Sequence, residues 1–282
     1  MSTQTADRPT TPDAASSGVA PPPPTFVGVV RAEWIKLVSL RSTWWALAGT
    51  VAVIALVALG NTVSLGGTAG EAAPPTSGLR GADLIASGFP FGMLTIAVLG
   101  VLLFTGEFAT GTIRSTFAAV PTRLPVLAAK ALVLLVVTVG VTLVSAAVAY
   151  VVTMPPLSRH HLVPALDEVG TWRVLGGTVY ALAAAALFSL GLGALLRSTA
   201  AGIAAALTIL MLLPGILTFV TLDWVQDLVR YLPLPASSAL LSSGPPLVPG
   251  DDLSTQQSLI VLAGYALVPL VAAAVALDRR DA

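Results

Sequence analysis

Apolar residues in this chain gather into long unbroken runs rather than into stripes. Six runs reach the roughly 20 residues that a helix needs to cross the hydrocarbon of a bilayer. They lie at about Trp44–Val63, Leu84–Thr105, Pro125–Val152, Val174–Leu196, Ala200–Thr221 and Ser258–Leu277. All are rich in Leu, Val and Ala, and none alternates polar with apolar as a barrel strand does. The pattern predicts an all-α membrane protein with six transmembrane helices. Only Arg197-Ser198-Thr199 divides the fourth run from the fifth, which asks for a tight hairpin. Pro214-Gly215 falls late in the fifth run. Proline has no backbone donor, so a kink or an early helix end is expected there.

Two segments outside the runs show helical stripes. Phe26, Val30, Trp34, Leu37 and Val38 recur at helical spacing, with Arg31, Lys36 and Arg41 among them. This predicts an N-terminal amphipathic helix lying in the membrane interface. Trp34, Trp44 and Trp45 suit an interfacial aromatic belt. The helix is read either as an anchor that fixes orientation or as a contact for a partner. The long connection from Leu222 to Gln257 contains a second stripe, at Trp224, Val225, Leu228, Val229 and Leu232. A short interfacial or re-entrant helix follows, with Pro233, Pro235, Pro245, Pro246 and Pro249 making the remainder irregular. Gly88-Phe-Pro-Phe-Gly92 permits a close approach between helices or between subunits.

Composition agrees with the membrane reading. Of 282 residues, 55% are hydrophobic and 10% charged, with a mean hydropathy of +0.88. Soluble domains carry about 25% charged residues. The first 25 residues depart from this, being rich in Ser, Thr and Pro. They are expected to form a disordered cytoplasmic tail ahead of a membrane domain at 26–282. No basic start followed by a short apolar core marks a cleavable signal.

Net charge is zero, which gives no reason to expect nucleic acid as a partner. Cysteine is absent, so thiolate chemistry is excluded. His160 and His161 are adjacent and lack a partner spacing for metal. An even number of spans puts both termini on one side. Arg8, Arg31, Lys36, Arg41, Arg114, Arg123, Lys130, Arg197, Arg279 and Arg280 lie on that side, ten in all. Arg80, Arg159, Arg173 and Arg230 lie on the other. The positive-inside rule then places both termini in the cytoplasm of a cell membrane.

No ionisable residue falls at the centre of a run as drawn, which argues against a proton relay. No phosphate-binding GxxxxGK[ST] loop occurs, so the chain offers no such route to ATP hydrolysis. Neither a catalytic residue nor a cofactor-binding motif stands out, and the chain is not expected to be an enzyme. Energy for uphill transport would have to come from a cytoplasmic partner. The surface available for one is the connection GEFATGTIRSTFAAVPTRLPVLAAK, Gly106–Lys130. Thr110 or Thr112 could cap a short helix starting near Ile113, with Ile113 and Phe117 on one face. Pro121 and Pro125 would end it. A plain basic turn obeying the charge rule is the competing reading.

The stretch EFATGTIRSTFAAVPTRLPVLAAK resembles the corresponding loop of ABC transporter permeases of the type-2 exporter family. The matching features are Glu107, Gly111-Thr112, Ile113-Arg114, Pro121 and Lys130. RAEWIKLVSLRSTWW, Arg31–Trp45, is similar to that family's N-terminal segment, and WVQDLVRYLPLP, Trp224–Pro235, to its loop before the last span. The style of the sequence is actinobacterial-like. The resemblance implies a six-span exporter subunit forming the translocation path, paired with a second permease of the same or a different kind. It also implies an ABC ATPase supplied in trans. Carried over, Thr112, Ile113, Arg114, Ser115, Thr116 and Phe117 would form the coupling helix that meets this ATPase. Glu107 would anchor the loop, through Arg114 or Lys130. The substrate is not named by any residue. An ATP-independent secondary carrier, or a structural or regulatory membrane protein, is the alternative.

Overall fold

A computed structural model describes residues 25–67, 80–111, 123–243 and 253–279. Among them the regular structure is helical throughout: α1 Phe26–Ser39, α2 Arg41–Gly67, α3 Gly81–Ala86, α4 Phe89–Thr110, α5 Arg123–Arg159 and α6 Val169–Leu196. There follow α7 Thr199–Leu207, a π-helical turn Thr208–Leu212, α8 Leu213–Leu217, α9 Asp223–Val229, α10 Pro233–Leu241 and α11 Thr255–Arg279. The tail at 1–24 and the proposed coupling residues Thr112–Phe117 lie outside the described residues.

Six stretches are long and apolar enough to cross a membrane: Arg41–Leu65, Gly81–Phe108, Leu124–Arg159, Val169–Leu196, Thr199–Leu217 and Thr255–Arg279. They correspond one to one with the six apolar runs, and this is a multi-pass, all-α membrane protein. The second and fourth spans are the centre, with 61% of their apolar windows buried, against 22% for the fifth and sixth. Phe89, Met93, Ile96, Phe104, Leu182, Ala186 and Leu190 form the core between α4 and α6. The peripheral spans turn Leu56, Val151, Ile260 and Val268 outward, as surfaces facing lipid do.

Glycine sets the distances. A side-chain carbon on Gly88 would lie 2.8 Å from the Ile54 Cα, and one on Gly92 would strike the end of the same side chain. The Gly88–Gly92 pair therefore packs α2 onto the α3–α4 junction inside one chain. That junction also breaks the second span, because Pro90 sits in the first turn of α4 and Ser87-Gly88 forms a turn before it. Gly191 meets the backbone of Pro269 on α11 in the same manner.

Several boundaries differ from the sequence reading. α4 runs one turn past Thr105 and ends at Gly111, which takes a left-handed φ of 73°. Thr110 is thus the last residue of this helix, and the short helix expected near Ile113 lies outside the described residues. α5 includes Arg123, two residues before the Pro125 at which the third run was drawn, and Lys130 lies inside that span, although the sequence reading also makes it the last residue of the 106–130 connection. The fifth span ends at Leu217 rather than Thr221. Before Pro214 the Leu213 N–H reaches back to the Thr208 carbonyl, five residues away, and the widened turn absorbs the missing donor of Pro214. Pro233 and Pro235 do not make irregular chain. They occupy the first turn of α10, where no N–H is needed.

Close packing at Gly88 gives a direct test. Gly88→Ala should cost about 1–3 kcal/mol by overpacking. Gly140→Ala, where nothing lies within 4 Å, should be neutral or slightly stabilising. Thermal unfolding of both variants in detergent micelles measures the difference.

Candidate functional site: a four-charge joint

The stripe of α1 that faces the bundle is Val29, Glu33 and Leu37. The other stripe points away: Phe26, Trp34 and Val38 are exposed, as are Arg31 and Arg41. The expected apolar stripe is thus divided: Phe26, Trp34 and Val38 face outward, where lipid would cover them, and Leu37 and Val30 face the bundle. Val29 packs with Val126 and Ala129 of α5. This contact brings Glu33 to the depth of Lys130, one turn further along α5.

Glu33 and Lys130 are each 1% exposed and Glu107 is 9% exposed, so these charges are largely withdrawn from water. They satisfy one another. Lys130 Nζ donates to Glu33 Oε2 at 2.6 Å, to Glu107 Oε1 at 2.6 Å and to the Leu103 carbonyl at 3.2 Å. An ammonium has three protons, and all three are placed. Lys36 Nζ donates to Glu33 Oε1 at 2.8 Å and to Glu107 Oε1 at 2.9 Å. Two carboxylates and two ammonium groups close a neutral ring. α1 supplies Glu33 and Lys36, α4 supplies Glu107, and α5 supplies Lys130.

Lys36 is the partly open member, with 44% of its side chain exposed. Burial pulls its pKa down, but hydrogen bonds to Glu33 and Glu107 outweigh this and the net shift is upward. Glu107 Oε2 is buried without a hydrogen-bond partner. A groove of about 500 Å³ runs from the ring between the α1–α2 elbow and α4, past Leu40, Ala46, Leu99 and Leu102. Trp44 Nε1 fixes that elbow by donating to the Val38 carbonyl at 2.9 Å.

The end of α4 carries further ties. Arg197 takes a left-handed φ of 52° in the turn between α6 and α7, and its guanidinium lies 5.6 Å from the Phe108 ring centre. The Thr199 hydroxyl donates to Thr105 Oγ1 at 3.0 Å. Thr105, Glu107 and Phe108 therefore bind the foot of the 111–122 connection to α7, α5, α1 and the α6–α7 turn. A displacement of that connection would be felt by all of them together.

Of the residues singled out from sequence, Lys36, Glu107 and Lys130 meet here, while Arg31, Trp34 and Arg41 do not. The sequence reading missed Glu33. Its signal was a carboxylate at the middle of the i, i+4, i+8 stripe Val29, Glu33, Leu37, three residues before Lys36. The stronger apolar stripe of the lipid-facing side hid it. Compared with known proteins, the chain matches no family model and no curated relative.

Breaking a buried ion pair strands a charge and costs about 3–5 kcal/mol. Lys130→Met should destabilise by that order, and Lys130→Met with Glu33→Met should recover part of the loss, because Glu107 and Lys36 remain paired. Denaturant unfolding in micelles reads both. A second expectation concerns alkali. Because the folded pKa of Lys36 is raised, its contribution is complete below the ordinary lysine value of about 10.4. It disappears as pH rises through the higher folded value. The wild-type melting temperature should fall over that window more than that of Lys36→Met.

Proposed function

We propose that the chain is the membrane permease subunit of an ATP-driven ABC exporter. It forms the translocation path and is moved by an ABC ATPase in a separate chain. The observation that carries this reading is the neutral four-charge joint at the foot of the connection between the second and third spans. A loop that only reverses the chain needs no such clamp. A loop that receives a push does, because the push must reach α1, α4 and α5 as one body rather than fraying a helix end. Six spans and the resemblance of Glu107–Lys130 to the coupling loop of type-2 exporters support the same conclusion.

In this reading the chain sits in the cell membrane with both termini and residues 111–122 in the cytoplasm. Thr112–Phe117 contact the ATPase, and Glu107 and Lys130 hold the loop's base. A second permease subunit completes the path. The cargo class is open: apolar walls suit lipid-like, drug-like or peptide molecules.

The test uses the chain in proteoliposomes with the ATPase that co-purifies with it from native membranes. ATP hydrolysis should be stimulated by the chain, and Arg114→Glu should reduce the stimulation about tenfold through charge repulsion at the contact while insertion stays normal. Unchanged stimulation by Arg114→Glu removes the loop assignment. Cargo transport by the chain alone, without any ATPase, removes the whole reading.

A further inference from the structure

The groove beside the four-charge joint is graded from polar to apolar along its length. On α4, Leu102 and Leu99 line it and lie five and eight residues before Glu107, which puts them about 8 and 12 Å further into the span at 1.5 Å per residue. On α2, Ser42 and Thr43 line it in the first turn, and Ala46 follows one turn on. The ionic end of the groove thus sits at the end of the spans, and the apolar end reaches into the hydrocarbon. One side is open, since Leu40, Ala46 and Leu102 are exposed, while Leu99 is buried.

What the polar end offers is donors. Lys36 Nζ places two of its three protons, on Glu33 and Glu107, and 44% of its side chain is exposed. The hydroxyls of Ser42 and Thr43 make no hydrogen bond among the described residues, although Thr43 is only 5% exposed. Ser39, by contrast, is committed to the Lys36 carbonyl at 2.9 Å. At the same place the leading N–H groups of α2 have no partner within the helix. The carboxylates leave these donors free. Both Glu33 oxygens and Glu107 Oε1 accept from lysine, and Glu107 Oε2 is buried. Because the ring is neutral, the groove selects for hydrogen-bond acceptors rather than for net charge.

We propose that this groove holds one membrane glycerophospholipid, its phosphate and ester oxygens accepting from Lys36, Ser42 and Thr43 and one acyl chain lying along Leu40, Leu99 and Leu102. A row of acceptors followed by hydrocarbon matches a row of donors followed by an apolar wall. The bond from Lys36 to the phosphate is charge-assisted and is the strongest of the set. The volume of about 500 Å³ takes part of such a molecule, and the rest stays in the bilayer through the open side. Bound there, the lipid lies between the α1–α2 elbow and α4 and adds a link between elements that the ring already joins. Binding needs no ATPase, so this inference stands or falls separately from the exporter reading.

The experiment uses the full chain, purified in detergent, stripped of lipid and titrated while bound lipid is counted by native mass spectrometry. The probes are dioleoyl-phosphatidylglycerol, dioleoyl-phosphatidylcholine and dioleoylglycerol. The first two share the phosphate and differ in net charge, and the third has the same chains without a phosphate. Wild type should bind one phospholipid of either kind with similar affinity, about tenfold tighter than dioleoylglycerol. Each phospholipid should also raise the melting temperature, because it binds the folded chain. Lys36→Met should abolish the preference for phosphate, and Lys36→Arg should keep it. Ser42→Val lies outside the ring and should weaken both phospholipids with an unchanged lipid-free melting temperature. Leu102→Trp obstructs the apolar end at an exposed position and should weaken all three lipids. Equal affinity for the three lipids, binding of phosphatidylglycerol without phosphatidylcholine, binding that never saturates, or Ser42→Val and Leu102→Trp variants that both bind as wild type does would overturn the assignment.

Discussion

A charge at the edge of hydrocarbon must be answered by another charge or by hydrogen bonds, and that demand organises one end of this molecule. Lys130 enters the third span enclosed by protein. Left alone it would cost several kcal/mol. Glu33, Glu107 and the Leu103 carbonyl answer it, and Lys36 balances the second carboxylate. Such a ring is weak evidence of net stability, since apolar residues of equal volume could do as well. What it supplies is register. All three protons of Lys130 and two of Lys36 find acceptors in this placement of α1 against α4 and α5, which ties the helix to one height and one rotation.

The rest of the bundle is held by proximity rather than by polarity. Lipid tails are as apolar as leucine, so helices in a membrane gain little from hiding leucine from lipid. Close backbone approach gives dispersion contact and weak Cα–H···O bonds instead. Gly100 faces the Ala186 carbonyl, Gly193 faces Val101, and Gly191 faces Pro269. These contacts radiate from α6, which explains its central position. Close packing at the core and charge at the joint are thus separate devices that share α4.

The six spans were legible because their apolar runs exceed any soluble helix in length and purity. The positions of their ends were less so. Lys130 falls inside the third run and also closes the loop as read from sequence, with Lys130 or Arg114 as the expected partner of Glu107; its partners lie 23 and 97 positions away in sequence. Helical periodicity cannot see such pairs. Glu33 was hidden by the same circumstance, since its partner Lys130 lies on another helix. The face of α1 turned to the bundle is itself mostly apolar, with Glu33 between Val29 and Leu37, so hydrophobicity alone does not single out the carboxylate. Pro233 and Pro235 were read as breakers, although proline in a first turn starts a helix.

The span from Thr199 to Leu217 has 19 residues, while its neighbours have 25 to 36. At 1.5 Å per residue it reaches about 28 Å, marginally less than a typical hydrocarbon thickness of about 30 Å. It has no length to spare for tilt, whereas the long third span must lean or protrude. Hydrophobic mismatch therefore falls unequally on this protein. A thicker bilayer would strain the short helix first, pulling on its wide π turn and on the two-residue corner at Arg197, so bilayer thickness becomes a mechanical input delivered through a single segment.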